Sequence, residues 1–335
     1  MNQKNTFLIA ILSLILGIAC KQKVQVSTAS TGNPLIDHLS VELQNNPQND
    51  SLWSARAAAY SQAEDYDNAV KDVLRALSLD SINIKYQHQL ANAFLDGNKS
   101  YEAIRTMEHA AAMYPERTPT LLKLAECYLI VQQYEPALKA IHTVNVVDPK
   151  NDEGYFMMGR VLLEMNEKER AMKAFQTCVA NNAENPDAWV YLGQLYDEKK
   201  NPLALQCFDN ALRFDSLNTD ILYNKAMHHQ QYHEDEKAKV LYRKIIGLDR
   251  KYADAFFNMG VLLLEKKDSL QKAFNNFDML VKTDPIYIKG YYFRGMCYER
   301  LNKISEAKQD YQQALNLMPD YNDAKIALNR LNVKN

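Results

Sequence analysis

One short pattern recurs along this chain about every 34 residues, and it constrains the fold more than any other feature. Its clearest copy spans residues 186–216 and contains Trp189, Leu192, Gly193 and Tyr196, followed by Ala204, Phe208 and Ala211. Similar copies begin near residues 50, 84, 118, 152, 186, 219, 253 and 288. A unit of this size cannot bury a core alone, so the pattern predicts that neighbouring copies stack in series.

Small residues at the eighth place of every copy predict two closely packed helices. That place holds only alanine or glycine: Ala57, Ala91, Ala125, Gly159, Gly193, Ala226, Gly260 and Gly295. An alanine about twelve residues later, from Ala69 to Ala307, provides a second small contact, and large apolar residues lie between the two places. Glycine and proline are both rare, with ten of each, which favours helix because both residues destabilise helix interiors.

These residues resemble the tetratricopeptide repeat, a helix–turn–helix unit with the pattern W-x₂-L-G-x₂-Y…A-x₃-F…P. The clearest copy departs from it only at the closing proline, where Ser216 stands. The resemblance covers residues 50–321, about four fifths of the chain. It implies an all-α fold, an α-solenoid of about eight such units. We expect an N-terminal helix over 34–49 and a C-terminal capping helix over 322–335.

The first twenty residues predict an export signal. A short polar start precedes an apolar run over residues 6–19, and Cys20 follows directly. The run is shorter than the roughly 20 residues of a membrane-spanning helix, and it fits a signal peptide over 1–19. Residues 16–20, LGIAC, resemble a bacterial lipobox, which implies that Cys20 is the lipid attachment site. Plain secretion and an uncleaved anchor are the alternatives.

Residues 20–33 comprise this cysteine and a stretch of polar and small side chains, which predicts a flexible tether. Thirteen residues span about 40 Å when fully extended, so the folded part would stay near the membrane surface. In many Gram-negative bacteria, an aspartate directly after the lipidated cysteine resembles an inner-membrane retention signal. This chain has Lys21 at that position instead. We therefore expect a lipid-anchored protein of the bacterial cell envelope, in the outer membrane and facing the periplasm.

The resemblance also indicates where a partner binds, because first helices line the inner groove in this family. Carried over to this sequence, the groove residues are Phe156, Tyr223, Met227, Phe257, Val261, Tyr292 and Met296. Polar groove contacts are expected from Asn224, Asn258 and Lys289, which match part of the family's carboxylate clamp. Phe293 stands where that clamp has a cation. The alternative for the aromatic residues is packing between repeats.

Composition and motifs give little support for nucleic-acid binding, metal binding or catalysis. The net charge of −2, with no cluster of lysine and arginine, disfavours nucleic acid as a partner. The chain has no glycine-rich phosphate loop and no G-x-S-x-G motif. His229 and His233, with His228 and Glu234 nearby, could present two imidazoles to a metal. However, His229 occupies the place of a packed tyrosine, so we predict no metal, cofactor or catalytic residue.

Cysteine placement predicts buried thiols rather than disulfides. Cys127, Cys178, Cys207 and Cys297 fall within helices at spacings set by the repeat. Exported proteins often oxidise their cysteines, so one pairing needs checking. That pairing joins Cys178 to Cys207, on the second helices of adjacent units.

These features together predict a lipid-anchored scaffold or adaptor, not an enzyme, that binds protein or peptide partners through its groove. Related lipoproteins suggest envelope complexes for secretion, outer-membrane assembly, motility or cell-wall enzymes. One alternative is a helical enzyme or small-ligand receptor, which would need a pocket with converging polar groups. Another is a self-assembling structural element, which would show a concentration-dependent size.

Overall fold

The computed structural model describes residues 30–265 and 269–333, and these residues contain eighteen α-helices and no β-strand. The predicted signal peptide, Cys20 and most of the predicted tether lie outside the described residues. None of the described helices is long and apolar enough to cross a membrane. The described chain divides into two compact bodies, an N-terminal body ending at Pro149 and a C-terminal body beginning at Lys150.

The N-terminal body contains one leading helix and three repeats, R1 to R3. Its helices are α1 (Pro34–Asn45), α2 (Asp50–Gln62), α3 (Tyr66–Leu79), α4 (Ile84–Asp96), α5 (Ser100–Met113), α6 (Thr118–Ile130) and α7 (Tyr134–Val147). The two helices of each repeat pack on each other, and the second helices of R1 and R2 pack on the first helices of R2 and R3. The leading helix packs on R1 and so covers its apolar side.

The C-terminal body contains five repeats, R4 to R8, and one closing helix. Its helices are α8 (Asp152–Glu164), α9 (Lys168–Asn181), α10 (Pro186–Glu198), α11 (Leu203–Phe214), α12 (Thr219–Gln231), α13 (Asp235–Leu248), α14 (Ala253–Leu264), α15 (Leu270–Thr283), α16 (Ile288–Arg300), α17 (Ile304–Leu317) and α18 (Asn322–Val333). The same serial packing runs through this body. The predicted all-α solenoid of about eight helix–turn–helix units, with a helix at each end, is confirmed.

Steric contact explains the glycines at the eighth place. A Cβ atom added to Gly159, Gly193, Gly260 or Gly295 would lie 2.5 to 2.7 Å from an aromatic carbon of the second helix. Real Cβ contacts do not come this close, so at these four places only glycine lets the ring lie where it does. The facing rings are Phe175, Phe208, Phe277 and Tyr311, all buried. In R6, by contrast, the equivalent residues are Ala226 and the buried Tyr242. In R1 to R3 the eighth place is alanine, and the equivalent second-helix residues are the aliphatic Val73, Met107 and Ile141.

A residue in the left-handed region ends the first helix in every repeat whose inner turn is described. These residues are Glu64, Asn98, Gln132, Asn166, Lys200, His233 and Asn302, with φ between 54° and 60°. The next N–H then donates to the carbonyl five residues earlier, as from Asn201 to Tyr196 at 2.8 Å. This bond satisfies a carbonyl that the helix leaves free. Asparagine tolerates such a backbone, whereas the longer side chains are strained there.

An ion pair with a buried aspartate joins the two helices of the first repeat and, likewise, those of the last repeat. In R1, the Arg56 guanidinium donates to both carboxylate oxygens of Asp72, at 2.7 and 2.8 Å. In R8, Arg294 pairs in the same way with Asp310, at 2.8 and 2.7 Å. Burial raises the pKa of both Asp72 and Asp310, although the hydrogen bonds from arginine oppose the shift. Both pairs link residues sixteen apart, so the same device recurs at equivalent places.

Candidate partner-binding surface

The predicted groove residues lie on first helices of the C-terminal body, and together they are called the aromatic face. Its members are Phe156 on α8, Tyr223 and Met227 on α12, Phe257 and Val261 on α14, and Tyr292 and Met296 on α16. Six of them are half-buried, and Met227 is 38% exposed. The aromatic face therefore combines partly covered rings with accessible aliphatic and sulfur atoms.

Each ring of the aromatic face packs against at least two other rings. Tyr223 lies 6.1 Å from Tyr242 of its own repeat and 5.4 Å from Tyr252 at the start of the next repeat, measured between ring centroids. Equivalent contacts join Phe257 to Phe277 and Tyr287, and Tyr292 to Tyr311 and Tyr321. Phe156 packs instead against Phe175 and against Tyr191, which lies within the next first helix. Packing between repeats, the alternative left open by the sequence, thus fixes these rings and covers part of their surface.

The carboxylates of Asp220 and Asp254 lie beside this face. Each one contacts the hydroxyl of a tyrosine that packs against a ring of the face. The Tyr252 hydroxyl donates to Asp220 Oδ1 at 2.9 Å, and the Tyr287 hydroxyl donates to Asp254 Oδ1 at 2.8 Å. Burial raises the pKa of both tyrosines, and the adjacent carboxylate raises it further. Both phenols therefore remain protonated donors, and both exposed aspartates lie at the hydroxyl ends of these rings.

The predicted polar contacts are not gathered into one clamp. Asn258 is buried, and its amide donates to the Tyr223 hydroxyl at 2.8 Å. Asn224 is half-buried and accepts from Gln194 at 3.1 Å. Lys289 is exposed, with its ammonium group 5.9 Å from the Phe257 ring centroid. Thus Asn258 supports the aromatic face from below, while Asn224 and Lys289 lie at its surface.

Charge is segregated between the two helix layers of R4 to R7. The four first helices carry eight acidic and two basic residues, and the four second helices carry ten basic and five acidic residues. In R1 to R3, the first helices are balanced, with three of each sign. The whole-chain charge of −2 conceals this pattern, which appears only when charges are summed helix by helix.

Two of the three histidines considered as metal ligands are engaged by separate carboxylates. His228 Nδ1 lies 2.6 Å from Asp197 Oδ1, and His229 Nδ1 lies 2.5 Å from Glu234 Oε2. Hydrogen bonds from Lys237 and then His229 lower the pKa of Glu234. Within the described residues, no group of three or more His, Cys, Asp or Glu side chains is arranged to hold a metal ion.

The four cysteines within the described residues are buried and have free thiols, as predicted. Burial raises the pKa of Cys127 and Cys207 to about 11, and that of Cys178 and Cys297 to about 12. A thiol is nucleophilic only as the thiolate, so these groups are poorly reactive at neutral pH. Cys178 and Cys207 do not form the disulfide considered above.

Serial stacking of two-helix units around small residues defines a helical repeat protein, in which extended helix surfaces offer the binding sites. Sequence profiles of the tetratricopeptide repeat match residues 51–83, 156–218 and 288–321. These matches fall on R1, on R4 with R5, and on R8. The chain therefore contains tetratricopeptide repeats over these residues.

Relatives of known name share the repeats at low identity. Tetratricopeptide repeat protein 16 of Homo sapiens is 24% identical over 337 residues, covering 86% of this chain and 37% of that protein. Protein O-mannosyl-transferase TMTC3 of Homo sapiens is 22% identical over 292 residues, covering 85% and 30% respectively. This chain thus spans well under half the length of either relative.

A solved structure shows the same fold. The C-terminal part of a TPR repeat-containing protein from Cytophaga hutchinsonii superposes with a TM-score of 0.57 at 18% identity. The similarity covers 73% of this chain and 99% of that structure. At this identity the comparison concerns the arrangement of the helices alone.

Proposed function

We propose that this protein is a lipid-anchored scaffold or adaptor that binds protein or peptide partners on the aromatic face of its C-terminal body. Protein–protein interaction is the general role of tetratricopeptide repeats, and the presence of these repeats supports that role here. The observation that carries the finer proposal is the aromatic face itself. Its rings are held by neighbours at 5.4 to 6.3 Å, and Met227 beside them is 38% exposed.

Fixed rings favour binding because they lose little freedom when a partner arrives. Their half-covered faces suit the apolar side of an amphipathic helix or the alternate side chains of an extended peptide. Met227 and Met296 add flexible, polarisable contacts that adapt to more than one partner shape. The partner is therefore a segment with several apolar side chains in series.

The sequence of the N-terminus supports the anchoring part of the proposal. The apolar run is followed directly by Cys20, which would become the acylated first residue of the mature protein. Two or more acyl chains anchor a protein stably in a membrane. The proposed location is the envelope of a bacterium, in the outer membrane and facing the periplasm. There the protein would serve a complex for secretion, outer-membrane assembly, motility or cell-wall enzymes.

We propose no enzymatic activity for this chain. The name of one relative describes a mannosyl-transferase, but the similarity covers 30% of that protein. The repeats occupy most of the 85% of this chain that is matched. The thiols that the structure describes are buried, and His228 and His229 are paired with carboxylates. A catalytic group must reach its substrate, so this burial and pairing support a structural role for both kinds of group.

The test is a cross-linking pull-down from native membranes with the full chain. The test variant carries Met227→Gln, Val261→Gln and Met296→Gln, which make the face polar while leaving its packed rings in place. The matched control is Met279→Gln, because Met279 is 42% exposed on the second helix α15. We expect the triple variant to lose its partners and the control to keep them. Equal recovery from both proteins would reject the aromatic face as the binding surface.

A further inference from the structure

We infer that the segment bound on the aromatic face is basic as well as apolar, and that its Lys or Arg side chains bind at two Asp–Tyr pairs. These pairs are Asp220 with Tyr252 and Asp254 with Tyr287. The inference rests on the proposed function, since it concerns the chemistry of the partner at the same surface. The aromatic residues alone indicate only that the partner is apolar. The inference adds that the partner also carries positive charge.

The position of the two carboxylates is the first argument. The Tyr252 ring centroid lies 5.4 Å from that of Tyr223, and the Tyr287 centroid lies 5.5 Å from that of Phe257. Each aspartate accepts a hydrogen bond from the hydroxyl of the same tyrosine, at 2.9 and 2.8 Å. A peptide whose apolar side chains cover Tyr223 and Phe257 therefore has these two carboxylates within reach.

The charge on these aspartates is the second argument. Within residues 30–265 and 269–333, no lysine, arginine or histidine forms an ion pair with Asp220 or Asp254. The tyrosine hydroxyl is a neutral donor to Oδ1 of each carboxylate, so among the described residues each carboxylate has a hydrogen-bond donor but no paired cation. A cationic side chain placed there would gain attraction from the carboxylate and from the tyrosine ring, as in cation–π contacts.

The wider charge pattern favours the same partner. Glu153 and Asp187 are exposed at the equivalent place on α8 and α10, so four successive repeats carry an acidic residue there. Acidic residues in a first turn also stabilise the helix through its dipole. However, Ser51, Lys85 and Pro119 hold that place in R1 to R3, so these helices form without it. A role in stabilising the helix dipole would give no preference for a basic peptide. Peptide binding can therefore distinguish that role from binding of a basic partner.

R8 provides an internal contrast. Its Tyr292 and Tyr321 rings lie 5.4 Å apart, as in the two repeats before it. The place of Asp220 and Asp254 is taken by Lys289, which is exposed. This repeat therefore has the rings without a carboxylate at that place. Burial and, after it, the nearby Asp323 carboxylate raise the pKa of both tyrosines. Lys289→Asp would add a carboxylate at the missing position.

The experiment measures binding of two synthetic amphipathic peptides to the full chain by fluorescence anisotropy at low and high salt. Both peptides have the same pattern of leucine and phenylalanine, with lysine at the polar positions in one and glutamate in the other. Two charge contacts of this kind correspond to about a tenfold difference in Kd. We expect the lysine peptide to bind about tenfold more tightly, and this preference to shrink at high salt.

Three variants assign the preference to the two pairs. The double variant Asp220→Asn/Asp254→Asn keeps an oxygen that accepts from each tyrosine but removes the charge, and it should abolish the preference. Lys289→Asp should increase affinity for the lysine peptide roughly threefold. The control Asp235→Asn changes an acidic residue in the first turn of the second helix α13, and it should leave both affinities unchanged.

The inference is overturned if the glutamate peptide binds as tightly as the lysine peptide, if neither binds, or if the double variant keeps the preference. Failure of the proposed function looks different. If both peptides bind equally and the Met227, Val261 and Met296 glutamine variant loses both, the aromatic face binds apolar partners without regard to charge. If native partners are still recovered with that triple variant, the surface itself is wrong.

Discussion

A Cβ atom added to Gly193 would lie 2.6 Å from Cε1 of Phe208, so the ring occupies the space where any larger residue would begin. The same relation recurs between Gly159 and Phe175 at 2.5 Å and between Gly260 and Phe277 at 2.7 Å. The ring is buried at each site. The close packing of the two helices of a repeat thus depends on a matched pair of side chains.

Gly193→Ala should therefore destabilise the C-terminal body by about 2 kcal/mol, because the added methyl displaces a tightly packed ring. Phe208→Leu in the same chain should restore part of the loss by making room for the methyl, which a double-mutant cycle would measure. The readout is the midpoint of denaturant unfolding followed by circular dichroism. The control is Gly247→Ala on α13, where an added Cβ meets no atom within 4 Å. It should stabilise by roughly 0.5–1 kcal/mol through helix propensity, and equal midpoints for the two alanine variants would contradict this packing.

Lys200→Gly should stabilise the inner turn of R5. Lys200 has φ of 54°, and a side chain in this region costs about 1 kcal/mol that glycine does not incur. Part of the gain is lost because glycine makes the unfolded chain more flexible, so we expect a net increase of roughly 0.5 kcal/mol. Thermal melting monitored by circular dichroism would detect it. Asn166→Gly at φ of 59° should gain less, since asparagine already tolerates the conformation. A lower melting temperature for the Lys200 variant would argue against the left-handed turn.

Arg56→Met should destabilise the N-terminal body by about 3 kcal/mol at pH 7, because it leaves the buried Asp72 carboxylate without its cation. Replacing both partners, as Arg56→Met with Asp72→Leu, should restore most of the stability. Chemical denaturation of the single and double variants measures the difference. If the double variant were as unstable as the single one, the loss would come from packing around Arg56 and not from the unpaired charge.

The effect of pH on that single variant follows from the direction of the Asp72 pKa. Burial raises this pKa in the folded protein, so the fold favours the neutral carboxyl over the charged one. The resulting stabilisation is fully present below the unfolded pKa of about 3.9 and is lost as the pH rises through the raised folded value. The Arg56→Met variant should therefore lose less stability relative to wild type at pH 4 than at pH 7. A deficit that grows on acidification would contradict a buried, unpaired Asp72.

Cys20→Ser tests the predicted anchor. Without a thiol to acylate, the protein should move from the membrane fraction to the soluble fraction of lysed cells. Immunoblotting of the two fractions gives the answer, with Ser27→Ala in the predicted tether as a control that should stay with the membranes. If the Cys20 variant remains in the membrane fraction, attachment does not depend on that residue.

The spacing of small and large residues along the sequence was sufficient to predict the two-helix repeat. Gly193 followed by Ala204 and Phe208 predicts two helices in close contact, because small and large residues alternate where the helices touch. The left-handed turn at Lys200 was not predictable in the same way, since lysine carries no preference for that backbone. The packing of the two helices that this turn joins overrides the local preference of such a residue.

The candidate site was predictable in outline only. The aromatic places follow from the register, but the hydrogen bond between Tyr252 and Asp220 joins residues 32 apart. Such a bond depends on how the turn between two repeats directs a side chain. For the same reason Asn258, expected at the surface, is buried under Tyr223. Contacts between repeats decide these positions, and spacing within one repeat does not reveal them.

Because each glycine and the ring that fills the space beside it are encoded within one repeat, a gene duplication copies both together. A whole repeat can therefore be gained or lost with its internal fit intact. A point substitution, by contrast, changes one member of the pair and leaves the other mismatched. This arrangement lets the array lengthen by recombination while strongly restricting drift at residues such as Gly193 and Phe208.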